Sequence, residues 1–189
     1  MVITAIARTA ILPPQTPGFT KFILPSMHEK ESSTYSDPYN FTANWVGPDV
    51  GSYKAVYCTV ALDDPKIRVV AGIDLNFADI AGFLPDEYLG LLTGLALIHL
   101  NSNRFCGIIP QTLTFHFYMS LISVINSRFV GTFPSGLLSL PMLKYLDHRY
   151  NEFEGPLPQL FQKKKNKIEA IFVNNNRFTN AVPAILGGT

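Results

Sequence analysis

A unit of 24 to 25 residues recurs five times between Val70 and Pro183, and that self-similarity constrains the fold more than any other feature of the 189-residue chain. With Val70, Leu95, Met119, Leu143 and Ile168 as first positions, the steps are 25, 24, 24 and 25 residues. Each unit closes on an apolar residue followed by proline, at Pro85, Pro110, Pro134, Pro158 and Pro183. A unit this short cannot bury its own apolar face, so such units must stack and share one core.

The columns of the repeat say how they stack. Positions one, four and six are apolar in nearly every unit, and the alternation between four and six has the period of a short strand. Ile73-Asp74-Leu75-Asn76 and Ile98-His99-Leu100-Asn101 show it, and Ile122, Leu146 and Ile171 open the same stretch in later units. Position eleven holds Ile80, Phe105, Phe129, Phe153 and Phe178, which predicts an aromatic spine running through successive coils. Position thirteen holds Gly82, Gly107, Gly131, Gly155 and Asn180, residue types that accept positive φ at a sharp turn. Position nine holds Asn103, Asn151 and Asn176, whose buried amides can bond free backbone groups, while Ala78 and Ser127 break that ladder. The fold class read from these columns is an α/β repeat: a leucine-rich-repeat solenoid with short parallel strands on its concave face and an amino-terminal cap. His148 falls in the inward column six, where a neutral, hydrogen-bonded core histidine or a local defect is expected rather than a ligand.

The organisation expected along the chain is a loosely ordered segment over 1–34, a cap over 35–69 and about five repeats over 70–189. Pro13, Pro14, Pro17 and Pro25 interrupt the first segment, and Tyr39, Phe41, Trp45, Tyr53 and Tyr57 give the second enough apolar surface to cover one end of a stack. A net charge of +1 leaves no electrostatic footprint for nucleic acid, and the basic run around Lys163–Lys167 reads as a solvated turn. No apolar stretch reaches the roughly 18 residues needed to span a bilayer. Val2–Ala7 is too short for the apolar core of a secretory signal, so none is expected in this chain. Two cysteines make neither a disulfide framework nor a metal site, and no cofactor is expected.

Function should then lie on the outward strand positions. Aromatic, arginine and amide side chains interleave there in the manner of surfaces that bind peptides or carbohydrates. The residues singled out for ligand binding are His99, Asn101, Arg149, Tyr150, Phe172 and Asn174. No catalytic constellation emerges: the four histidines have no acid or cysteine at a diagnostic spacing, and Gly-x-Ser-x-Gly is absent, so the chain is not expected to be an enzyme.

Three stretches carry a family likeness: Tyr39-Asn40-Phe41-Thr42-Ala43-Asn44-Trp45-Val46-Gly47-Pro48, Asn101-Ser102-Asn103-Arg104-Phe105-Cys106-Gly107, and Asn174-Asn175-Asn176-Arg177-Phe178. Together they resemble the amino-terminal repeat domain of plant leucine-rich repeat extensins, pollen extensin-like proteins included. The resemblance implies a secreted cell-wall module that recognises small cysteine-rich signalling peptides of the rapid alkalinisation factor class, in cell-wall formation and growth control. Its implied partners are such a peptide and cell-wall polymers, and a homodimer is compatible with it. A polygalacturonase-inhibitor-like role and a truncated copy without function are the alternatives. Asn40-Phe41-Thr42 is an N-glycosylation sequon, meaningful in the secretory pathway. The likeness also implies departures. Gly51 stands where the family has a cysteine paired with the one matching Cys58, so Cys58 should be a free thiol; Tyr88 is inserted in the first repeat; His148 replaces an inward leucine; and no serine-proline tail follows the repeats.

Overall fold

The computed structural model describes residues 34–46, 49–61, 65–158 and 168–179, with residues 87 and 88 defined by backbone alone. The expected loose segment, except its last residue, lies outside them, as does Asn180. In chain order the described strands are β1 (Thr34–Ser36), β2 (Val56–Val60), β3 (Arg68–Asp74), β4 (Ala81–Phe83), β5 (Leu97–His99), β6 (Arg104–Gly107), β7 (Leu121–Ser123), β8 (Arg128–Thr132), β9 (Tyr145–Asp147), β10 (Glu152–Pro156), β11 (Ala170–Phe172) and β12 (Arg177–Thr179).

These strands form two sheets, because each repeat contributes one strand to each. The first runs β11-β9-β7-β5-β3-β2 and the second β1-β4-β6-β8-β10-β12. Within the repeats the pairing is parallel and the register moves by one whole unit: Ile73 faces Ile98, Ile98 faces Ile122, Ile122 faces Leu146, and Leu146 faces Ile171. The first sheet is the concave one that the columns predict. The second was not anticipated, although its pattern was visible: the phenylalanine at position eleven and the glycine at thirteen already alternate with period two. Gly107, Gly131 and Gly155 end or bend that strand at φ of +79, +90 and +75, which an L side chain resists.

The core lies between the sheets. Phe105, Phe129 and Phe153 have no exposure, and their rings follow one another at 6.3 and 6.5 Å between centroids, with Phe178 a further 6.2 Å on. The asparagines of position nine join the two sheets. Asn103 accepts the Ile80 N–H at 2.9 Å and donates to the carbonyls of Leu75 and Leu100 at 2.8 and 3.0 Å. Asn151 does the same one level on, accepting from Phe129 and donating to Val124 at 2.7 Å. At Ser127 only a hydroxyl contact of 3.4 Å to Leu100 O remains, so the ladder is interrupted there.

The convex side carries little helix. Helix α1 (Asp86–Leu89) is a single α-turn, and the next two units have 3-10 turns over Gln111–Phe115 and Ser135–Ser139. Unit length differs as well. An α-turn takes 3.6 residues and a 3-10 turn about 3, and the first unit has 25 residues against 24 in the second and third. Tyr88, an insertion on the resemblance noted above, falls inside α1.

The cap closes both sheets at one edge. β2 lies antiparallel on β3, and β1 antiparallel on β4, so the edge groups of the first repeat are paired rather than left as a template for another chain. Trp45 anchors it: the ring stacks on Tyr53 at 6.0 Å, and Nε1 donates to Lys54 O at 2.8 Å. Cys58 and Cys106 are both free thiols, and burial pushes the Cys58 thiol up from its ordinary pKa.

Candidate functional site

The outward side chains of the concave sheet stand in columns, since every second residue of a strand shares a face. Position five reads Asp74, His99, Ser123, Asp147 and Phe172; position seven reads Asn76, Asn101, Ile125, Arg149 and Asn174. Position eight, which follows the strand, is left-handed in every unit: Phe77, Ser102, Asn126, Tyr150 and Asn175 have φ of 57, 55, 53, 56 and 59. Asn and Ser accept that region at modest strain, whereas Phe and Tyr do so reluctantly. In the two units with an aromatic there, the aspartate at position five accepts the N–H of position seven, Asp74 from Asn76 and Asp147 from Arg149, both at 3.2 Å. These Asx turns hold the bend that presents Phe77 and Tyr150, 72% and 51% exposed.

The predicted residues fall into two groups. Arg149, Tyr150, Phe172 and Asn174 come together on the fourth and fifth units. The Arg149 guanidinium lies 4.9 Å from the Phe172 ring centroid and is held by Asp147 through Nε–Oδ1 and Nη2–Oδ2 contacts of 2.9 and 2.7 Å. The Tyr150 N–H donates to Asn174 O at 3.2 Å, and the Asn174 amide donates to Asn175 Oδ1 at 2.6 Å. Asp147 was not among the residues singled out for binding, although an acid two residues before an outward arginine shares its face. Tyr145 and Lys144 border the same patch and both bond the Glu169 carboxylate.

His99 and Asn101 sit on the second unit, apart from that patch. His99 Nδ1 lies 3.4 Å from Asp74 Oδ2, an acid partner that no diagnostic spacing in the sequence announces. The partner lies 25 residues upstream, one repeat away, a spacing that becomes a contact only when strands stack in register. Asn101 is a bracket as much as a binding group: its Oδ1 accepts both the Ile125 N–H and the Ser123 hydroxyl at 2.8 Å. Asp74, His99 and Ser123 thus follow one another in one column. The Ser123 proton, however, goes to Asn101, and the residue is 6% exposed, so the imidazole does not activate this hydroxyl.

Asn40 is exposed in the cap turn, with φ of 51, and the Thr42 hydroxyl of its sequon donates to Asp37 Oδ2 at 2.8 Å. A groove of about 370 Å³ between the second and third units, lined by Ile108, Pro110, Phe115, Phe133 and Pro134, contains none of the predicted residues. Among the described residues no group of three or more metal-ligating side chains occurs, and no helix is long and apolar enough to cross a membrane.

Two buried histidines differ in their surroundings. His116 has carbonyl oxygens at both ring nitrogens, Thr112 O at 3.1 Å and Leu89 O at 2.9 Å. His148 has no hydrogen-bond partner at either nitrogen and is wholly buried, so it is the local defect rather than the bonded core histidine.

No model of a known protein family matches the chain. Solved structures with the same coil include the BIR2 ectodomain from Arabidopsis thaliana, with a TM-score of 0.72 and 21% identity over 83% of this chain and 81% of that one. The Arabidopsis receptor kinase HAESA, in complex with the peptide hormone IDA and the co-receptor SERK1, matches at a TM-score of 0.56 and 20% identity, over 80% of this chain and 29% of that one. At such identities the likeness shows the fold, a leucine-rich-repeat solenoid. Leucine-rich repeat extensin-like protein 2 of Arabidopsis thaliana is 51% identical over 160 residues, which cover 84% of this chain and 20% of that relative. The chain therefore spans about a fifth of that protein, and with half of the aligned positions identical, it is similar over most of its length to one part of the leucine-rich repeat extensin-like proteins.

Proposed function

We propose that this chain is an extracellular recognition module whose concave sheet binds a secreted signalling peptide, in the control of cell-wall formation and growth. The observation that carries the reading is the patch on the fourth and fifth units, where exposed Tyr150 and Phe172 stand with half-buried Arg149 at the ends of strands locked by parallel pairing. A preorganised aromatic and guanidinium surface loses little entropy on binding and is the composition that dominates interface energies. HAESA, which shares the coil, is a receptor kinase solved with a peptide hormone, and the extensin-like relatives suggest the cell wall as the setting. The ligand class favoured is the cysteine-rich rapid alkalinisation factor peptides, with His99, Asn101 and Asn174 as flanking contacts and Asn40 carrying a glycan. Calorimetric titration of the secreted chain with a synthetic peptide of that class tests the reading. Saturable binding weakened about tenfold or more by Phe172→Ala or Arg149→Ala is expected, hot-spot losses being ~2 kcal/mol. A folded, monodisperse sample that takes up no peptide removes the claim.

A further inference from the structure

Position six of the repeat faces the core and holds Leu75, Leu100, Val124 and Val173 in four units, but His148 in the fourth. The His148 ring lies 5.1 Å from Phe153 and 6.0 Å from Phe133, with no exposure and no partner for either nitrogen. Its backbone, by contrast, is a junction of the stack. The His148 N–H donates to Phe172 O at 2.8 Å, and its carbonyl accepts from the amides of Asn176 and Asn151 at 2.9 and 3.2 Å. The imidazole is out of water's reach while the coils around it stay packed, and the backbone that carries it ties the fourth coil to the fifth.

No described charge faces this ring. On its own strand Asp147 and Arg149 lie on the opposite face and pair with each other. Position six of the flanking strands is Val124 on one side and Val173 on the other, and the spine and the loop after β8 add Phe153 and Phe133, neither of which ionises. Burial alone lowers its pKa from 6.5 to about 3. His116 is the contrasting case. A neutral imidazole can donate to only one of its two facing carbonyls and an imidazolium to both, so a proton entering there finds its acceptors in place, although burial still lowers that pKa against these bonds.

We propose that the fourth repeat is an acid-triggered joint: protonation of His148 opens the stack between β9 and β11, releasing the strands that carry Arg149, Tyr150 and Phe172 while the first three units stay closed. The sign follows from linkage. The opened form takes up a proton below about 6.5 and the closed form only near 3, so the closed form is fully favoured above pH 6.5 and loses about tenfold in relative population per pH unit as pH falls between those values. Loss of ligand on acidification rests on the binding reading above; the opening itself does not.

Residue-resolved amide exchange between pH 7 and pH 4.5, expressed as protection factors in the wild type and in His148→Leu, tests the joint. Amides of residues 145–158 and 168–179 should lose about tenfold more protection per pH unit in the wild type than in the variant, and those of residues 70–124 should behave alike in both. Equal pH dependence in the two proteins, or a loss spread evenly over all five units, overturns the proposal. Should His148→Leu fail to fold, His148→Met serves as the variant. The imidazole titration followed by NMR in the wild type decides independently: a His148 that protonates near 6.5 while its own amide stays protected is equally fatal. The exchange measurement needs no ligand, so absence of peptide binding at neutral pH would count against the binding face and not against the joint.

Discussion

At the scale of single residues, the energetic weaknesses of this chain sit where one unit departs from its column. His148 places two unbonded nitrogens where the column otherwise has Leu or Val, and an unsatisfied buried polar group costs about 1–3 kcal/mol. His148→Leu should therefore raise the unfolding free energy at pH 7 by about 1–3 kcal/mol, measured as a shift of the urea midpoint at constant slope. Phe77 is the opposite kind of exception. It is 72% exposed at φ of 57, so it contributes little burial and bears the strain of a left-handed aromatic. Phe77→Asn should stabilise by about 0.5–1 kcal/mol, because asparagine occupies this region more readily; a variant no more stable than the wild type would show that the ring packs on something the strain argument omits. The strain at position eight was invisible in the sequence, since Phe, Ser, Asn, Tyr and Asn share no composition that announces positive φ, and only the repeated register exposes it.

At the scale of elements, the asparagine ladder and the phenylalanine spine were legible from spacing alone, because each is one residue type at one position in register. The second sheet was not. Its strands are only three to five residues long, and a short apolar alternation around a phenylalanine reads equally well as a turn until the neighbouring coils supply the hydrogen bonds. The Asp74–His99 pair escaped for a related reason: a contact between residues 25 apart is local in a coil but remote in the chain. The interrupted rung at Ser127 gives a prediction at this scale. Asn103 and Asn151 each bond four backbone groups, whereas Ser127 reaches only Leu100 O. Ser127→Asn should complete the ladder and stabilise the third unit by about 1 kcal/mol, and Asn151→Ala should cost about 2–4 kcal/mol by stranding the groups it now serves; denaturant unfolding of the pair reads both signs in one experiment.

For the whole molecule, the governing fact is that each coil touches only its neighbours, in both sheets and along the spine. Stability in such an array is a sum of unit terms and nearest-neighbour interfaces, so damage is expected to propagate by adjacency rather than to reach the whole domain at once. The two ends are also unlike. The first repeat is closed by antiparallel strands from the cap and by the Trp45–Tyr53 stack, whereas Ile171 and Phe178 at the far end of the described stack are only half-buried. Phe153→Ala removes a fully buried ring from the spine between Phe129 and Phe178, a change worth about 3–5 kcal/mol in a packed core. Because the cap holds the opposite end, that loss should fall on the fourth and fifth units. Amides of β9 to β12 should exchange at least a hundredfold faster, while those of β3 and β5 keep most of their protection. Trp45→Ala should act in mirror image, loosening β2 and β3 first. If instead either substitution lowers protection equally from β2 to β12, the coils fold as a single cooperative block, and the partial opening that would let one end of the concave face be released while the other stays folded is not available to this protein.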